Sequence, residues 1–322
     1  MNKRERVLVA MHGEKVDRVP VTFYGHCPNL YDNTVTFQTD YCRDANMDLY
    51  CIGIDGYMHF HWAGPLLTPE DWGKIQPHKK DDYYIAGQVD RAARMAEALP
   101  DVPMFYMFYS PFSTIRHTMP GKVGGHWYFH KLYRENPECI KHAMNVIMED
   151  HELLMDELKA KTGIDGLFLS LQNGEKWRFS VEEYMEILHP WDERYLKAAN
   201  DRYENNIIHM CSWANEPNHM EVWKDLDYKT VNWGVYPEAM TLGQGRSYFK
   251  PGTNVMGGFD RNPEGILYCG DRQSIKDETK RIIREAGDQG LILSADCSIE
   301  ESTPAEHMSW VVEAAEEYAA EK

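Results

Sequence analysis

Positive charge is scarce in this chain. Thirty-four Lys and Arg stand against 51 Asp and Glu in 322 residues, a formal net charge of −17. Holding a phosphate backbone needs clustered cations, so nucleic-acid binding is excluded. A soluble, cytoplasmic surface is the expectation. Long apolar runs are also missing. No stretch approaches the ~20 residues that span a bilayer, and Met1-Asn2-Lys3-Arg4-Glu5-Arg6 has no apolar signal core, so no membrane role is expected. The seven cysteines are odd in number and follow no framework spacing, which fits a reducing compartment better than a disulfide scaffold. There is no linker, low-complexity tract or break in composition, so a single domain over residues 1–322 is expected. Apolar residues are plentiful: 43% hydrophobic and 12% aromatic are enough for a large core.

Apolar runs and helical periodicities alternate along the chain. Strands are expected at Val21–Tyr24, within Asp48–Tyr57, and at Val102–Phe108, Leu167–Ser170, Ile207–Cys211, Tyr228–Trp233, Asn254–Gly258 and Leu291–Ser294. Helices are expected between them, among them Ala86–Leu99, His142–Thr162, Pro237–Gly245 and Ser274–Ala286. Ser180-Val181-Glu182-Glu183 and Thr303-Pro304-Ala305-Glu306 read as capping boxes opening two more. Eight strands joined by helical crossovers imply parallel pairing. In this length they fit an α/β fold of the (β/α)8 TIM-barrel type, with an open doubly wound sheet as the competitor.

Ile207-Ile208-His209-Met210-Cys211 carries the chemistry. Side chains at i and i+2 of a strand share a face, so His209 and Cys211 aim at one spot. Cys297 follows the last expected strand. One His and two Cys would hold a tetrahedral zinc (Zn2+) with one position open, the pattern of a catalytic site. In a barrel all three line the mouth where strands end. Each alone could equally be a packing residue.

Other residues cluster at expected strand ends. Glu175, after strand four, reads as a fourth ligand, an acid or a solvated loop carboxylate. Asp260, after strand seven, reads as a catalytic or substrate contact or as a loop-bonding residue. Asp296 is a candidate partner to a metal ligand. Tyr24, His26, Tyr57, His59, Tyr109, Trp213, Trp233 and Tyr236 are the candidate substrate contacts. Such a lining suits an aromatic substrate or a methylammonium group. His59 and His61 read as a hydrogen-bonded pair or a second metal position.

Several segments resemble the uroporphyrinogen decarboxylase superfamily. At the start these are Asn2-Lys3-Arg4-Glu5-Arg6-Val7 and Gly13-Glu14-Lys15-Val16-Asp17-Arg18-Val19-Pro20. Ser110-Pro111-Phe112 and Gly257-Gly258-Phe259-Asp260 are similar to later segments. The ending Leu293-Ser294-Ala295-Asp296-Cys297-Ser298, with Thr303-Pro304, resembles its methyltransferase branch, which includes the methylcobamide:coenzyme M methyltransferases. That branch's His-x-Cys…Cys zinc motif falls on His209, Cys211 and Cys297. The resemblance implies methyl transfer between a corrinoid protein and a thiol or a methylated small molecule. The chain has no Asp-x-His-x-x-Gly stretch, so the methylcobalamin or other corrinoid would ride on a separate partner protein. The decarboxylases carry arginines just after strand one; Tyr24-Gly25-His26-Cys27-Pro28-Asn29 has none. The methyltransferases usually have Gly after the first Cys, where this chain has Ser212-Trp213; a bulky Trp beside the metal implies a different pocket. A metal-free decarboxylase and a non-catalytic small-molecule-binding barrel stay open as alternatives. A homodimer is one compatible assembly.

Overall fold

The protein is described by a computed structural model covering residues 1–27, 33–119, 129–212 and 214–322. Seven strands form one sheet in sequence order: β1 (Tyr50–Ile52), β2 (Met104–Tyr109), β3 (Gly166–Leu171), β4 (Ile207–Met210), β5 (Thr230–Trp233), β6 (Asn254–Phe259) and β7 (Leu291–Ala295). Every neighbouring pair is parallel. Every strand residue is buried, as expected of a parallel sheet covered on both faces.

The segment expected as the first strand is corrected. Val21 and Gly25 make only isolated parallel bridges, to Leu293 and Ile299. Side chains stand in for a regular ladder. Val21 N donates to Asp48 Oδ2 at 2.9 Å, and Phe23 N points at Met47 Sδ at 3.4 Å. The segment nevertheless bonds to both edges of the sheet. Thr22 N donates to Leu293 O, and Asp48 N donates to Val21 O, each at 2.9 Å. Arg18 fixes it from below, with Nη1 and Nη2 at 2.6 and 3.0 Å from the buried Asp48 carboxylate. Arg6 Nη1 reaches the same carboxylate at 2.8 Å.

Helix boundaries follow local signals. Ser180 and Glu183 form the expected capping box. The long helix begins at Pro137, five residues before the expected start, because Asn136 caps it and Pro137 occupies the first turn. Two expectations fail. The helix predicted over Pro237–Gly245 forms instead at Leu242–Tyr248, opened by a Thr241/Gln244 capping box. The last helix, Ala305–Ala320, has no side-chain cap: Thr303 is buried, with its carbonyl taken by the Tyr41 hydroxyl. No helix among the described residues is long and apolar enough to cross a membrane.

Candidate metal centre

His209 is the third residue of β4, Cys211 follows the strand's last residue, and Cys297 lies two residues past β7. Strand alternation turns His209 and Cys211 the same way. One ligand atom from each of the three residues lies within 4.8 Å of the others, and this is the metal-competent group found among the described residues. The Cys211 and Cys297 sulfurs are 3.8 Å apart. Bonds of ~2.3 Å to a tetrahedral zinc place two sulfur ligands roughly 3.8 Å apart. The relative exposures are 2%, 3% and 8% for His209, Cys211 and Cys297, so all three ligands are buried.

The His209 ring supplies the second test of fit. Nδ1 lies 2.5 Å from Asn232 Oδ1. Nε2 is buried with no partner of hydrogen-bond geometry among the described residues, and the Cys297 thiol is its near neighbour. A buried polar atom without a partner costs ~1–3 kcal/mol; a metal bond would satisfy it. Cys211 beside Cys297 lowers the Cys297 thiol well below its ordinary value, and His209 adds to this against the opposing effect of burial. Two sulfurs, one unpartnered imidazole nitrogen and this spacing fit a soft divalent ion.

The three ligands form the floor of a cavity of about 550 Å3. Of the candidate substrate contacts, Tyr24, His26 and Tyr109 line it. Burial first, then Cys297 and Cys211, push the Tyr24 phenol well above 10.0, so it stays protonated. Its hydroxyl has no partner with hydrogen-bond geometry among the described residues. His26 Nδ1 donates to Asp55 Oδ1 at 2.7 Å, which raises the imidazole's pKa. Tyr109 stacks on His117 at 4.2 Å and 9°.

The other expected residues lie elsewhere. Trp233 is next to inward-facing Asn232 and so turns outward; its indole N–H donates to Met240 O and its ring packs on Phe249. Tyr57 is buried beneath Arg91, with Tyr83 alongside. His59 and Tyr236 are exposed. His61 packs near His78 and the Tyr83 and Tyr84 rings rather than with His59. Trp213 lies outside the described residues. Asp260 Oδ1 accepts from Asn262 N and Nδ2 at 2.9 and 2.7 Å, the loop-bonding alternative. Asp296 accepts from Tyr236 N at 3.0 Å.

Glu175 does not join the metal group. Its oxygens face Arg116 Nη2 at 2.7 Å and Arg178 Nε at 2.9 Å. Burial alone would raise its carboxyl; the two guanidiniums outweigh it and hold the pKa at about 2. It is a fixed carboxylate, not an acid.

Sequence reasoning missed His117, Gln172 and Arg261, which line the cavity, and Asn232 behind it. A polar residue inside the apolar run Val231-Asn232-Trp233 was the available signal for Asn232.

The uroporphyrinogen decarboxylase (URO-D) family model matches residues 61–318. No curated protein matches the chain by sequence. Among solved structures, a methyltransferase from Methanosarcina mazei superposes with a TM-score of 0.72 at 14% identity, over 99% of each chain. A B12-independent methionine synthase from Shewanella sp. W3-18-1, in complex with selenomethionine, gives 0.51 at 12% identity over 94% of each. A putative vitamin-B12-independent methionine synthase from Listeria monocytogenes gives 0.52 at 12%, over 88% of this chain and 86% of that one. At these identities the likeness is one of fold.

Proposed function

Because the chain belongs to the uroporphyrinogen decarboxylase family, we propose that it turns this fold to methyl transfer. The reading is a zinc-dependent, corrinoid-linked methyltransferase, built as one domain in a closed (β/α)8 barrel. The single observation that carries it is the His209–Cys211–Cys297 group with its unpartnered Nε2. His209 through Nε2 and the two cysteines through sulfur would hold zinc and leave its fourth position toward the cavity. When bound, zinc would make a coordinated thiol nucleophilic near neutral pH, or polarise the heteroatom of a methylated substrate.

The chain's own residues then bind and shield. Met58, Met107 and the Tyr109–His117 stack give the cavity an apolar, aromatic wall. Its volume suits a small molecule. The Tyr24 hydroxyl, beside Cys297, would donate to the reacting heteroatom. The methyl group would pass to or from a corrinoid on a separate protein, with a thiol acceptor or a small methylated donor as the other reactant. Decarboxylation of a multiply carboxylated substrate is disfavoured, because Arg261 is the one Lys or Arg among the described lining residues.

The test is loss of the methyl–cobalt absorption of methylcobalamin with a panel of thiols. In the reverse direction, Co(I) corrinoid is offered with methoxy and methylthio compounds. The parent should act in one direction and Cys297→Ser in neither. Equal turnover by both proteins would overturn the reading.

A further inference from the structure

The His209 ring can aim a lone pair at the two cysteines only in one of its two neutral tautomers. Nothing in the imidazole itself enforces that choice. In water the proton is shared between the two nitrogens, and the hydrogen bond made by one decides the state of the other.

Asn232 makes that bond, and its own orientation is fixed from behind. Its Nδ2 lies 2.9 Å from Met256 O on β6 and 3.1 Å from Ala295 O on β7. Carbonyl oxygens only accept, so the amide NH2 must face them. Oδ1 is therefore turned toward β4, where it meets His209 Nδ1 at 2.5 Å. Oδ1 only accepts, so Nδ1 carries the proton, and in the neutral ring Nε2 keeps its lone pair. The side chain is wholly buried, with a relative exposure of 0%, so water does not compete for any of these bonds. Register delivers the contact: Asn232 pairs with His209 between β4 and β5, and with Met256 between β5 and β6. The same amide ties the His209 strand to the strand that ends two residues before Cys297.

We propose that Asn232 is a positioning residue that sets the His209 tautomer and holds the β4 and β7 sides of the cysteine–histidine site in register. It touches neither metal nor substrate. The inference rests on the metal reading above for its purpose, while the tautomer itself belongs to the metal-free protein.

The experiment is 15N NMR of histidine-labelled, metal-free protein, with His209→Gln to assign the resonance. Zinc affinity is measured alongside by chelator competition. The parent should show a protonated Nδ1 and an unprotonated Nε2 on His209. Asn232→Leu, close in size but with no acceptor, should shift that ring toward the other tautomer and weaken zinc binding by about 10- to 100-fold. Asn232→Asp keeps an acceptor for Nδ1 and should retain the parental tautomer, while the carboxylate oxygen it turns toward Met256 O and Ala295 O lowers stability. A parent ring protonated on Nε2 overturns the proposal whether or not any variant folds. So does a leucine variant with unchanged tautomer. A parent with the expected tautomer but no zinc binding would leave Asn232's control of the ring standing and remove the metal reading instead.

Discussion

Two of the buried polar clusters among the described residues, around Glu175 and around His209, differ in what is left over. Around Glu175, two guanidiniums close on one carboxylate, and Arg116 also reaches Asn173. The carboxylate's charge is fully engaged. Around His209, an imidazole nitrogen ends without a partner beside two thiols 3.8 Å apart. By charge and burial the first cluster looks more like an active site; by unsatisfied valence the second does. Buried polar groups are nearly always paired, and at His209 the leftover nitrogen stands beside two sulfurs at the spacing of zinc ligands.

Removing a ligand should break this contrast most sharply. Cys211→Ser or Cys297→Ser should lower zinc affinity by more than about 100-fold, beyond the cost of losing a ligand's supporting partner. The fold should persist, which circular dichroism and a thermal melt would check. Glu175→Ala should do the reverse. It leaves two buried cations uncompensated, at a cost of about 3–5 kcal/mol, while metal per folded chain stays at the parental value. If it instead lost metal without losing stability, the two clusters would be one site.

The pH dependence of stability sharpens the same division. Glu175 sits at about 2 in the folded protein against an ordinary 4.5. A depressed carboxyl contributes stability that is fully present above 4.5 and is lost as pH falls toward 2. Urea unfolding across that window should show this loss in the parent. The Glu175→Gln variant should lack that component of the acid dependence. The smallest effect is expected at Tyr24. Tyr24→Phe deletes a buried hydroxyl with no partner of hydrogen-bond geometry, so stability should hold or rise by up to ~1 kcal/mol. Zinc content should be unchanged, and KM for the small substrate should rise several-fold.

The strands were legible because each is a short apolar run, and His209 and Cys211 were legible because a two-residue strand period is strict. Trp233 was misplaced although the same period, applied from Asn232, turns it outward. Glu175 could not be read from its surroundings in sequence: Arg178 is near, but Arg116 lies 59 residues away and arrives only through the packing of the Pro111–Thr118 helix. Asn232 stood out in sequence only as a polar residue in an apolar run, and its role was hidden for a related reason. Its role needs the registers of β4, β5 and β6 together with the carbonyl of β7. The segment at Val21 was taken for a strand from composition, whereas Asp48 and Met47 side chains occupy the positions where ladder partners would stand.

The most direct measurement is metal per chain in protein purified without added metal. His209→Ala and Cys297→Ser are measured alongside the parent. The account predicts about one zinc in the parent and none in either variant. No metal in the parent, even after zinc is supplied under reducing conditions, would contradict it.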